Sequence, residues 1–138
     1  MSRYKTARCV VLRGDEVLLA VHSRYFRRSP QKWGLLGGRI EWGEHPETAV
    51  RRELLEEIEL HFGELTRVDA YDYKRARHVV YATTTDATDI VYDEYELVDV
   101  RWFKPEEIEL LARDGLLHAG YELQAVRRAR ELLGQQVS

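Results

Sequence analysis

The apolar positions of this chain recur with two different periods, and each period predicts one kind of element. Two β-type runs, at residues 7–12 and 17–21, flank residues 13–16 (RGDE), and this arrangement is typical of a hairpin. Four more segments share the β-type pattern: residues 33–36, 65–73, 78–85 and 97–103. Three segments share a helical period: residues 46–58, 105–111 and 121–133. Strands and helices interleave irregularly, which predicts α/β layers around a mixed sheet.

The helix predicted at residues 46–58 carries two different faces. Pro46 stands at its favoured first position, and Val50, Leu54 and Ile58 form an apolar stripe that Leu55 widens. This stripe predicts that one face packs on the sheet. The neighbouring face is therefore free to carry chemistry.

Three carboxylates occupy that neighbouring face. At about 100° per residue, Glu53, Glu56 and Glu57 fall within roughly 100° of one another, and Glu44 lies a short segment upstream. Like charges at this spacing repel each other at neutral pH. A hard divalent cation relieves the repulsion, and oxygen ligands suit Mg²⁺ or Mn²⁺. The spacing predicts a metal site of the kind that handles phosphates, whereas a solvated acidic helix is the alternative.

Residues 38–60 resemble the signature of the Nudix hydrolases. That signature is G, five residues, E, seven residues, then R-E-U-x-E-E-x-G-U, where U is aliphatic. The matching positions are Gly38, Glu44, Arg52, Glu53, Leu54, Glu56, Glu57 and Leu60. The resemblance implies an α/β/α sandwich around a mixed sheet, as one domain over residues 1–138. It also implies hydrolysis of a pyrophosphate bond in a nucleoside diphosphate linked to another moiety.

Two positions depart from the family's pattern. Glu59 replaces the glycine with which members leave the helix, and Leu36 stands where many members have proline. Either Glu59 adopts a positive φ, at a cost on the order of 1 kcal/mol, or the helix continues and Gly63 supplies the bend. Neither departure removes an expected metal ligand.

The resemblance also implies roles for individual residues. Glu53, Glu56 and Glu57 are the expected ligands of Mg²⁺, with Mn²⁺ as the other candidate, and the Gly37 carbonyl is a further ligand. Glu44 acts in an outer layer, and Arg52 orients one of the glutamates. The general base is open: Glu96 is the first candidate, Glu94 the reserve and Glu53 the alternative within the signature. The expected catalytic set is therefore Glu53, Glu56, Glu96 and Arg52.

Substrate recognition is less defined by the sequence. Arg27 and Lys32, in a basic loop before the glycine pair, are candidates for holding phosphates, and Tyr73 is a candidate for stacking on a base. A solvated loop and ordinary sheet packing are the alternatives. The chain has no proline between Pro46 and Pro105, which argues against ADP-ribose-type members. We expect a nucleoside triphosphate, as in a MutT-like role. A nucleotide-sugar or ADP-ribose pyrophosphatase and a non-catalytic nucleotide-binding module are the alternatives.

Composition narrows the class of protein further. A formal net charge of −3 provides no basic field for a nucleic-acid polymer or an anionic membrane. No apolar run approaches a membrane span, and we expect no signal peptide. The single Cys9 lies in an apolar run, which predicts a buried thiol in a cytoplasmic protein. The expected partner is a small nucleotide. A homodimer is left open by the aromatic strands after the signature.

Overall fold

The computed structural model describes residues 3–25 and 31–137. Its strands are β1 (Thr6–Arg13), β2 (Glu16–His22), β3 (Leu36–Arg39), β4 (Thr66–Tyr73), β5 (Ala76–Thr84) and β6 (Leu97–Phe103). Its helices are α1 (Pro46–Ile58), α2 (Pro105–Arg113) and α3 (Glu122–Val137), with a short 3-10 helix at Ser23–Tyr25. None of the helices within these two described ranges is both long and apolar enough to cross a membrane.

The sheet is mixed and forks at one strand. Its order is β4-β5-β1-β2-β6, with β1 and β5 parallel and the other neighbours antiparallel. One edge of β1 pairs with β5 along almost its whole length. The other edge is shared, because residues 6–9 pair with β3 and residues 12–13 pair with β2. The fork therefore brings β3 and β2 to the same edge of β1.

Two hydrophobic layers cover the two faces of the sheet. Successive residues of a strand point to opposite faces, and those of β1 divide accordingly. Ala7, Cys9 and Val11 join the buried cluster under α1, whereas Val10 and Leu12 join the cluster under α3. The predicted α/β/α arrangement is confirmed, and so is the buried position of the Cys9 thiol.

The predicted elements agree with the structure except at β3. The strand expected at residues 33–36, ending before the glycine pair, is wrong: β3 begins at Leu36 and runs through both glycines. A Cβ added to Gly37 would lie 2.2 Å from the Ala7 carbonyl oxygen. The glycine is therefore what lets β3 approach β1, and Trp33 makes only an isolated bridge.

Helix α1 ends at Ile58, as predicted. Glu59 follows in the left-handed region, with φ of 54° and ψ of 30°, and its N–H donates to the Leu55 carbonyl at 3.0 Å. The sequence allowed either a positive φ at Glu59 or a longer helix that bends at Gly63, and the structure has the first of these. Leu55 does not widen the buried stripe as expected, since 41% of it is exposed.

Candidate active site

A cavity of about 860 Å³ opens beside the fork of the sheet, and we call it the central cavity. The start of β1, the glycine pair of β3, one face of α1 and the β4–β5 hairpin all contribute to its lining. The walls carry seven cationic side chains, on Lys5, Arg8, Arg24, Arg39, Arg52, Lys74 and Arg75. They also carry five carboxylates, on Glu41, Glu53, Glu56, Glu57 and Glu96.

Glu57 lies at the buried end of this cavity. Its side chain is 1% exposed, and its Oε1 accepts a hydrogen bond from the Gly37 N–H at 2.8 Å. Burial raises the pKa of Glu57 to about 8, although the Gly37 N–H and Arg8 oppose the rise. Burial therefore favours the protonated form of this carboxyl group.

His22 of β2 faces the same carboxyl group. Its Nδ1 lies 3.4 Å from Glu57 Oε2, and its Nε2 lies 3.1 Å from the Leu35 carbonyl oxygen. Burial and the nearby Arg8 guanidinium lower the pKa of His22 to about 3. A neutral imidazole therefore meets a protonated carboxyl group, and the contact is not an ion pair.

Arg52 connects the carboxylates at the more open end. It donates to Glu44 from Nε at 2.8 Å and from Nη2 at 3.0 Å, in a bidentate pair. Its Nη1 donates to Glu53 Oε1 at 3.0 Å and lies 3.5 Å from Glu56 Oε2. The hydrogen bonds from Arg52 hold the pKa of Glu44 below its usual range. Glu44 and Glu53 are thus held by one guanidinium.

The Glu53 carboxylate lies against the backbone of β3. A Cβ added to Gly38 would come within 2.6 Å of Glu53 Cδ and 2.7 Å of its Oε1. Only glycine leaves that space at position 38. Burial raises the pKa of Glu53, while the hydrogen bond from Arg52 opposes the rise. Glycine is therefore needed at position 38 to make room for the Glu53 side chain of α1.

Arg8 is a site residue that the sequence reasoning missed. It lies on β1, and its Nη1 donates to the Gly37 carbonyl at 2.8 Å and to the Leu35 carbonyl at 3.3 Å. The available signal was a cation inside an otherwise apolar run at residues 7–12. The Gly37 carbonyl, expected as a metal ligand, thus already accepts one hydrogen bond and keeps one lone pair.

The remaining predicted residues differ in whether they line the central cavity. Glu96 and Tyr73 line the central cavity, and the Glu96 charge contributes to the raised pKa of Glu57. Lys32 and the reserve base Glu94 are exposed and are not among the residues that line this cavity. Arg27 lies outside the described residues. The structure therefore brings one of the two expected general bases in the late loop to the glutamates of α1.

The three expected carboxylate ligands have protein partners in this structure. Glu53 and Glu56 face Arg52, whereas Glu57 faces Gly37 and His22. Across residues 3–25 and 31–137, no group of three or more His, Cys, Asp or Glu side chains stands close enough to hold a metal ion.

Known proteins resemble this chain in sequence and in fold. A family model described as NUDIX domain matches residues 3–123. The NAD-capped RNA hydrolase NudC of Yersinia pestis is 32% identical over 117 residues, covering 79% of this chain. The chain spans only 43% of the length of that relative.

Solved structures share the fold at lower identity. A NUDIX-family hydrolase from Clostridium perfringens superimposes with a TM-score of 0.73 and 22% identity, covering 96% of this chain and 99% of that one. The NUDIX domain of Shewanella oneidensis NrtR, complexed with ADP ribose, gives 0.70 and 22%, covering 96% and 90%. The fold, the signature on α1 and the family match agree, and the chain belongs to the Nudix hydrolase family.

Proposed function

We propose that this protein is a metal-dependent hydrolase that cleaves a pyrophosphate bond of a nucleoside triphosphate. The observation that carries the proposal is the pairing of five carboxylates with seven cationic side chains in one cavity of about 860 Å³. Carboxylates supply metal ligands and a base, and cations supply contacts for phosphate oxygens. A cavity of this volume suits a ligand of nucleotide size.

The oxygen donors on α1 suit a hard divalent cation by their chemistry, and to bind it they would have to turn from their partners Arg52, Gly37 and His22 towards one point. Glu53, Glu56 and Glu57 would hold it, with the free lone pair of the Gly37 carbonyl as a further donor. Gly38 supports this fit, because the missing Cβ is what lets the Glu53 carboxylate lie against β3. When bound, such an ion neutralises charge on the phosphates and lowers the pKa of a bound water. Mg²⁺ is the proposed ion, and Mn²⁺ is the alternative.

The chain's own residues supply the remaining roles, which are positioning of the glutamates, the general base and a phosphate contact. Arg52 is a positioning residue that holds Glu53 through its Nη1 and Glu44 through its other nitrogens. Glu96 is the proposed general base, which would take a proton from the attacking water at its carboxylate. Glu53 is the alternative base. Arg8 would stabilise the phosphate nearest to the buried Glu57, since it is the cation at that end.

The choice of a triphosphate rests on the surplus of cations. Lys74 and Arg75, at the tip of the β4–β5 hairpin, line the cavity in addition to the cations of β1 and α1. A substrate with more than two phosphates uses this charge more fully than a sugar nucleotide does. Tyr73 lines the cavity beside them, and its contact with the substrate stays a prediction. The roles of Arg27 and Lys32, the homodimer, the cytoplasmic location and the single domain stay predictions.

A second candidate comes from the relative that is named an NAD-capped RNA hydrolase. Its name suggests an NAD-type dinucleotide, free or at an RNA end, as the substrate. The chain covers less than half of that relative, so this candidate stands second.

The test measures the release of hydrolysis products in Mg²⁺ or Mn²⁺. Three classes of substrate are compared: nucleoside triphosphates, ADP-ribose and NAD. We expect the triphosphates to give the highest kcat/KM, and we expect Glu53→Gln to stop their hydrolysis. Glu106→Gln, on α2 and outside the cavity lining, is the matched control and should keep full activity. Binding of nucleotide without any turnover would refute the proposal and favour a binding module.

A further inference from the structure

The loop between β3 and α1 forms a tight turn that presents one aromatic side chain to solvent. The Glu44 N–H donates to the Glu41 carbonyl at 3.0 Å, which closes a four-residue turn. Gly43, at the third position, has a φ of 78°, the conformation that a type II turn requires. Trp42 is the second residue of the turn, and 89% of it is exposed.

This turn is tied to the active-site helix. The Glu44 carboxylate accepts a hydrogen bond from the Glu41 N–H at 3.0 Å and forms the bidentate pair with Arg52. Both ends of the turn are thus anchored to the residue that also holds Glu53. These hydrogen bonds hold the backbone on either side of Trp42, and its side chain projects into solvent.

Trp42 also lines a second cavity, of about 330 Å³. The opposite wall comes from the residues ahead of β1, including Tyr4. The Tyr4 hydroxyl accepts hydrogen bonds from Arg3 at 3.0 Å and from Arg67 at 3.1 Å, which hold its ring in place. The aromatic side chains of Tyr4 and Trp42 therefore share one small cavity, and that of Tyr4 is held by two hydrogen bonds.

The second cavity adjoins the central one. Lys5, Arg39 and Glu41 line both of them. The Ile40 N–H donates to the Lys5 carbonyl at 3.0 Å, so the two segments run side by side between the cavities. A nucleotide with its phosphates among the cations of the central cavity would therefore have the second cavity next to it, on the other side of Lys5 and Arg39.

We propose that the second cavity binds the aromatic base of the nucleotide substrate, with Trp42 as the stacking surface. Every base has a π-face, and stacking on an aromatic side chain tolerates different bases. The turn does not require tryptophan at position 42, since its geometry depends on Gly43 and Glu44. The proposal rests on the proposed function for its substrate and names the subsite that recognises the base.

The experiment measures binding without turnover in a Glu53→Gln background. Tryptophan fluorescence is recorded while a purine nucleoside triphosphate, or inorganic triphosphate as the base-free probe, is titrated in. We expect the nucleotide alone to quench a signal that Trp42→Leu removes. Trp42→Leu should weaken nucleotide binding about ten-fold and leave the Kd of inorganic triphosphate unchanged. Trp42→Phe, which keeps an aromatic face, should retain most of the affinity.

The control is Leu110→Ala, which removes a half-exposed apolar side chain from α2, away from both cavities. It should leave both dissociation constants unchanged. An unchanged nucleotide Kd in Trp42→Leu, with intact binding of the base-free probe, would overturn the subsite.

In the hydrolytically active protein, the same substitution should raise KM and leave kcat unchanged, because the contact is made equally in the ground and transition states. If no nucleotide is hydrolysed but Trp42-dependent binding persists, the proposed function fails and the subsite stands. If hydrolysis proceeds with an unaltered KM in Trp42→Leu, the subsite fails and the function stands.

Discussion

Gly38→Ala separates the catalytic role of the glycine pair from its structural role. The new Cβ would lie 2.6 to 2.8 Å from the three carboxylate atoms of Glu53. A comfortable contact needs about 3.5 Å, so the carboxylate must move by roughly 1 Å. It is the far end of a flexible side chain, and within residues 3–25 and 31–137 the hydrogen bond that holds it comes from Arg52, at 3.0 Å.

The expected cost to stability is small. Moving the carboxylate weakens one partly exposed charged hydrogen bond, worth about 1 kcal/mol or less. For a chain of this size we expect the melting temperature to fall by no more than about 4 °C. A misplacement of about 1 Å at a reacting centre can cost 10²-fold in rate. We therefore expect kcat to fall roughly 100-fold in Gly38→Ala, which is close to 3 kcal/mol of activation energy.

The assay pairs thermal unfolding with steady-state kinetics in Mg²⁺. Gly63→Ala is the matched control, since a Cβ there meets nothing within 4 Å. Gly37→Ala gives the opposite pattern, because its Cβ would lie 2.2 Å from a backbone oxygen and the protein should unfold. A near-normal kcat in Gly38→Ala would show that the position of Glu53 is not critical, and the reasoning would be refuted.

Three further predictions concern stability and metal binding. Glu57→Gln should fold normally but lose both the thermal stabilisation by Mn²⁺ and the turnover; near-normal rates would show that Glu57 is not a ligand. Glu59→Gly should be neutral or up to about 1 kcal/mol more stable in urea, because it relieves the positive φ; a clear loss would contradict this. Burial lowers the pKa of His78 to about 4, so between pH 6.5 and pH 4 the unfolded chain binds more protons. The contribution of His78 to the free energy of unfolding should therefore fall by on the order of 2 kcal/mol as the pH drops through that window, alongside a further fall from His22 and an opposing rise from Glu57. His78→Gln should flatten this decline, and the exposed His45→Gln should not; equal slopes would refute the assignment.

The parts of the fold that depend on local pattern could be predicted from the sequence. Helix α1 begins at Pro46 and ends at Ile58 because its apolar period, its opening proline and its exit lie within one segment. The glutamates of α1 share a stripe for the same reason. Local spacing alone relates them, so no knowledge of the sheet was needed.

The parts that depend on strand pairing could not be predicted. His22 faces Glu57 and lies 3.3 Å from Arg8 only because β1 and β2 lie side by side over α1, and that register is a property of the whole sheet. β3 was misplaced because its path depends on how closely Gly37 lets it approach β1. The turn that presents Trp42 depends on Arg52, ten residues along the chain.

The proposed activity requires the carboxylates of α1 to hold a divalent ion in the central cavity. The most direct test is the anomalous scattering of Mn²⁺ in crystals of the protein grown with that ion. We expect a strong peak about 2 Å from oxygens of Glu53 and Glu57, with Glu53 drawn away from Arg52. A cavity without a peak, in which Glu53 still accepts from Arg52 and Glu57 from Gly37, would contradict it.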